Sequence, residues 1–166
     1  MNKRTTVLSI VAAITWCAFS ASACEPPTIS ASAKAIVIES DVTRAHLPIA
    51  KSALDANTEL VLRDIHFENH PGTQFHVLLA RRDQPARRVR VGTLSFYLQS
   101  NTKQTTTRTF DVTDELRQLA RTPADLEQID VVFEATSGRG GANARAHFDA
   151  DAKLTIGEVL LRVKAK

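Results

Sequence analysis

Three of the five histidines crowd one stretch of the chain: His66, His70 and His76 in IHFENHPGTQFHV. Neutral imidazoles are ligands for copper and zinc, and three that converge can hold either ion. Asn69-His70-Pro71-Gly72 is a turn signal, because proline fixes φ and glycine accepts positive φ. A hairpin joining residues 60–67 to 74–80 would set His66 and His76 across from each other, with side chains about 5 Å apart. His70 would then add a third ligand from the turn. The same residues also read as two half-buried strand histidines and one solvated turn residue. Register decides between the readings, since a slip of one residue puts the two strand histidines on opposite faces.

Other chemistry finds no constellation. Nucleophilic catalysis needs a serine or cysteine with a base and a group that orients it. The chain has no G-x-S-x-G elbow, and Ser95 and Ser100 stand in no special context. Asp125/Glu127 and Asp149/Asp151 are the carboxylate pairs that acid–base work would use, but both fall in loop-like stretches, where solvated acids are common. Phosphate-loop, dinucleotide and zinc spacings are absent from the sequence. Arg81, Arg82, Arg87, Arg88 and Arg90 surround one turn. They read as a charged tip that resists strand-to-strand aggregation, with a docking patch for an acidic partner as the alternative. No catalytic or cofactor-binding residue emerges, and the chain reads as non-enzymatic.

The elements that must position these residues are strands. Short apolar runs recur with turn signals between them, which argues for a sandwich or barrel. Residues 35–39 and 44–49 are weak strands, and 60–67 is apolar on both parities, as a central strand would be. In 74–80, Phe75, Val77 and Leu79 share one face. Within 89–98 the apolar parity switches, and Gly92 sits where a bulge would cause it. The Thr-rich stretch 105–112 is a strand with a solvated outer face. Thr113-Asp114-Glu115 reads as the start of one short surface helix, which Pro123 stops. Ile129, Val131, Phe133 and Ala135 point inward while Asp130 and Glu134 point out. The last strand, 154–163, switches parity near Gly157. The fold class expected is all-β, an antiparallel sandwich with one short surface helix.

Residues 1–23 read as a signal peptide: Lys3 and Arg4, an apolar run from Val7 to Phe19, then Ala21-Ser22-Ala23. The run is short of the roughly 20 apolar residues a membrane span takes. Cleavage there leaves a flexible leader at 24–33 (CEPPTISASA) and one domain at 34–166. It also leaves nineteen basic residues against eighteen acidic ones, too near neutrality for a general pull on nucleic acid. Cys17 is lost with the leader, so Cys24 is the lone thiol and the core alone holds the fold. Its place directly after the cleavage point suggests acylation as a lipoprotein, whereas Ala21 stands where a lipobox usually carries leucine. The expected location is the periplasm or the medium, with a membrane anchor only if Cys24 is acylated.

In the order of these strands the chain resembles the C-terminal, KFDV-type β-domain of polyphenol oxidases and tyrosinases, over roughly residues 35–164. LVLRDIHF (60–67) is similar to a strand ending G-I-x-F, with Asp64 in place of glycine. QFHVLLA (74–80) is similar to the K-F-D-V strand, with Phe75 and Val77 matching and Gln74 and His76 departing. VGTLSF (91–96) resembles A-G-S-F, and FDVTDELRQL (110–119) resembles its x-I-T-D-L-L-x-x-L continuation. ADLEQIDVVFEATSG and LTIGEVLLRV resemble V-x-V-T-L-V-P-x-S-G and V-T-I-G-G-I-K-I. The resemblance implies a jelly-roll-like sandwich that is not catalytic and packs over the dicopper site of an oxidase domain, keeping it latent or aiding its maturation. That oxidase domain is missing here, so no copper ligand carries over.

The function expected is an exported β-domain that shields or matures a separately encoded tyrosinase-like dicopper oxidase, through an exposed apolar patch of several hundred Å². The alternatives are a periplasmic copper carrier using His66, His70 and His76, and a general envelope interaction module.

Overall fold

The alternating apolar runs form strands that stack in two layers. The computed structural model describes residues 28–31, 35–96, 105–137, 148 and 150–164. Its strands are β1 (Thr28–Ala31), β2 (Ile36–Ile38), β3 (Val42–His46), β4 (Thr58–His66), β5 (Gln74–Arg81), β6 (Arg88–Leu94), β7 (Thr106–Asp111), β8 (Ile129–Thr136) and β9 (Leu154–Val163). The helices α1 (Thr113–Leu119) and α2 (Pro123–Leu126) lie between β7 and β8. The first sheet runs β1-β9-β4-β7, with β2 also on β9, and the second runs β3-β8-β5-β6. All of these pairings are antiparallel. The fold is an all-β sandwich.

The core lies between the layers. Leu60, Leu62, Ile65, Ile156, Val159 and Leu161 come from the first sheet, and Phe75, Val77, Leu79, Val131 and Phe133 from the second. Phe75 meets Phe148 edge-on, with ring centroids 5.5 Å apart. On the outside of the first sheet, Val61 faces Leu160 between two cross-strand ion pairs, Glu59–Arg162 and Arg63–Glu158. Long charged chains there flank a buried apolar pair, so the outer face stays polar.

Two glycines mark where the sheets bend. Gly92 pairs with Val77 while Arg90 pairs with Leu78, so Val91 is the extra residue of a bulge. The ring of Phe110 lies where a Gly92 side chain would project. In the first sheet the inward set passes from Leu60 and Leu62 to Ile65, and from Ile156 to Val159, at one level of the sheet. Asp64 sits there with φ 53°, and a Cβ on Gly157 would come 2.8 Å from the Asp64 Cβ.

Several expectations need correction. Residues 60–67 and 74–80 do not form a hairpin, because β4 belongs to the first sheet and β5 to the second. The turn at 69–72 is an arch between layers; proline and glycine mark a reversal, not the sheet it leads to. Within the stretch expected to be a tether, residues 28–31 pair with β9, since an edge strand needs only backbone groups. The strand expected at 44–49 ends at His46, because Pro48 cannot donate to a ladder. Thr113 is inside α1 rather than capping it: its Oγ1 accepts the Thr58 backbone N–H at 2.9 Å. Pro123, expected to stop the helix, opens α2, where Thr122 and Asp125 form a capping box.

Candidate functional site

The three crowded histidines are held apart by this topology. His66 ends β4 opposite Thr155, and its Nδ1 donates to the Asp64 carbonyl at 3.1 Å. His70 sits in the arch, edge-on to Phe67. Its Nδ1 accepts the Gly72 N–H at 3.1 Å and its Nε2 lies 3.3 Å from the Phe96 carbonyl, a pattern that fits one neutral tautomer. His76 is on the outer face of the second sheet, with Nδ1 3.3 Å from Thr93 Oγ1. Burial, and then the neighbouring Arg90 charge, lower its pKa below the usual value. Among the described residues, no three His, Cys, Asp or Glu side chains gather in a set that would hold a metal ion. The copper site expected at His66, His70 and His76 therefore loses the hairpin that was to assemble it. His147 and Cys24 lie outside the described residues.

The arginine cluster also separates, and most of its members work inside the fold. Arg81 is buried at the end of β5, where its Nε and Nη2 grip the Asp83 carboxylate at 2.9 and 2.8 Å. Its Nη1 reaches Asp125 Oδ1 at 2.6 Å and the Leu119 carbonyl at 3.3 Å. The guanidinium thus ties β5 to α1 and α2; it lowers the Asp83 pKa and holds Asp125 well below the ordinary carboxylate range. Arg87 donates to the Gln118 carbonyl, and Arg88 to Glu134 at 2.6 Å.

Arg82 completes a cluster that the sequence pattern concealed. Its Nη2 donates to Asp130 Oδ1 at 2.8 Å, and its Nε lies 3.5 Å from Oδ2. His46 Nδ1 is 3.1 Å from the same Oδ1 and also touches the guanidinium. Asp130 points out of the core, as its parity predicts, and is buried there beneath them. Hydrogen bonding to Asp130 raises the Arg82 pKa. The cluster borders a groove of about 510 Å³ lined also by Pro48, Ile49, Ala50 and Gln128. One carboxylate here is shared by two partners, which makes the cluster a clamp joining β3 and β8 to the turn that follows β5.

The outer face of the second sheet holds the remaining cations. Cross-strand register sets Arg44, Val132, Leu78 and Arg90 in one row, with His46, Asp130, Ala80 and Arg88 in the next. Val132, Leu78 and Ala80 form a small buried apolar cluster on this side. Arg44 and Arg90 are exposed. The sequence held a signal for this face: Arg88 and Arg90 alternate with Val89 and Val91, so they point away from the core.

The broad apolar patch expected for docking is not seen. Among the described residues the exposed large hydrophobics are Val37 and Val42, one on each sheet. No family model matches the sequence, and no curated protein matches it.

Proposed function

We propose that the chain is an exported, non-catalytic β-sandwich that docks on a separately encoded tyrosinase-like dicopper oxidase and shields its site or aids its maturation. The observation that carries this reading is the backbone at Asp64. The resemblance puts glycine at this position, and φ there is 53°, a region that glycine enters freely and aspartate tolerates better than most residues. The glycine of the family motif thus falls where this chain has a left-handed residue. The other resembling stretches fall on β5, β6, β8 and β9 and on the passage from β7 into α1.

Export rests on the sequence of residues 1–23, and Cys24 is the residue an acyl chain would modify. Among the described residues no helix is long and apolar enough to cross a membrane. Co-expression with a tyrosinase-like dicopper oxidase from the same genome, followed by size exclusion, tests the reading. Co-elution is the expected result. Separate elution with unchanged oxidase activity would contradict it.

A further inference from the structure

From the two outer faces we infer that the second sheet, on the side of Arg44 and Arg90, is the docking surface, and that the partner's contact surface is acidic. The inference rests on the proposed function for the existence of a partner, and adds which face meets it and by what chemistry.

The two faces treat charge differently. On the first sheet, Glu59, Arg63, Glu158 and Arg162 pair across neighbouring strands and neutralise each other. On the second, Arg44, Arg82, Arg88 and Arg90 outnumber Asp130 and Glu134. Asp130 takes Arg82 and Glu134 takes Arg88. Arg44 and Arg90 remain, exposed and in no ion pair among the described residues; Arg90 only donates to Thr93 Oγ1. They stand at opposite edges of one row, three strand spacings or roughly 14 Å apart, with Val132 and Leu78 between them.

Val132 and Leu78 are buried, so the row offers a partner charge at its two ends rather than apolar surface. A guanidinium accepts a carboxylate in a bidentate fork, which gives orientation as well as attraction. Two such forks fixed by a rigid sheet would select a partner whose acids match their separation. A protein surface is favoured over an anionic membrane, because this face has arginine rather than a lysine field and, among the described residues, exposes only Val42 of its large apolar side chains.

The test compares two charge reversals of equal size. Arg44→Glu with Arg90→Glu alters the row. Arg108→Glu with Arg121→Glu alters exposed cations elsewhere. Circular dichroism and thermal melts first establish that both proteins fold as wild type. Immobilised poly-L-glutamate at low ionic strength is the acidic probe. The row variant is expected to lose roughly tenfold or more in retention affinity, and the control to stay within about threefold. Equal losses in both variants, or none in either, would overturn the inference. So would wild-type binding to phosphatidylglycerol vesicles but not to poly-L-glutamate, which would assign the face to a membrane. Co-elution with the oxidase separates the two levels. If the row variant still co-elutes, the face is wrongly assigned while the function stands. If wild type fails to co-elute yet the probe contrast holds, the function falls and the acidic docking face stands.

Discussion

At the residue scale, Asp64 shows how local backbone demand and side-chain chemistry meet. A left-handed φ costs a residue with a β-branch most, through contact between Cβ and its own carbonyl. Asp64→Val is therefore expected to destabilise the fold by about 1–2 kcal/mol. Asp64→Gly relieves that contact while adding freedom to the unfolded chain, so it should stay within about 1 kcal/mol of wild type. Chemical denaturation of the two variants checks the contrast, and equal losses would mean that the backbone is not what constrains position 64. Gly92 gives a second case. Its missing side chain leaves room for the Phe110 ring, and Gly92→Ala should cost about 1–3 kcal/mol through overpacking. The companion change Phe110→Leu should recover part of that loss. Both glycines were legible in the sequence as breaks in apolar parity. The strain at Asp64 was not, because aspartate in a strand pattern reads equally as an outward polar residue. Asp130 was placed correctly on the outer face by alternation, which does not reveal that Arg82 and His46 will cover it there.

At the element scale, the corner built from the end of β5, α1 and α2 depends on ionised carboxylates. Asp83 and Asp125 are lowered by hydrogen bonds from Arg81. Asp111 is lowered to about 2, chiefly by Lys164 and Thr113. A carboxylate whose folded pKa lies below its unfolded value of about 3.9 stabilises fully above that value. The contribution drains away as pH falls through the folded pKa. Melting temperatures should thus fall steeply between about pH 4 and pH 2. His76 adds a shallower slope of the same sign. Its folded pKa is lowered, so below its ordinary value of about 6.5 the unfolded chain takes up the proton more readily. His76→Gln should flatten the melting curve just below pH 6.5 and leave the steep acid limb in place. A wild-type curve flat from pH 7 to 2 would contradict both assignments. The strand stretches were largely legible from period two. The function of Arg81 was not, since five arginines around a turn look alike until burial singles one out.

At the scale of the whole molecule, alternation told which face of a strand is buried but not which layer the strand joins. β4 and β5 follow each other in sequence and part into different sheets, and that single fact dissolves the histidine site their pairing would have built. Long-range pairing holds the sandwich at its centre: β9 lies between β4 and the edge segments β1 and β2, and β5 lies between β8 and β6. Amides of β4 and β9 that pair with each other should accordingly exchange hydrogen only through global unfolding, whereas those of β1, β2 and β7 should exchange through local fraying. Uniform exchange across all nine strands would count against this ordering. The function proposed for the molecule is that of a partner rather than a catalyst, and its most direct measurement is the rate of diphenol oxidation by a tyrosinase-like copper oxidase, alone and after titration with this chain. The account predicts a saturable change in rate, with the turning point at equimolar protein and a loss of the effect in the Arg44→Glu, Arg90→Glu variant. A rate unchanged at every ratio, for an oxidase both matured alone and co-expressed with the chain, would contradict it.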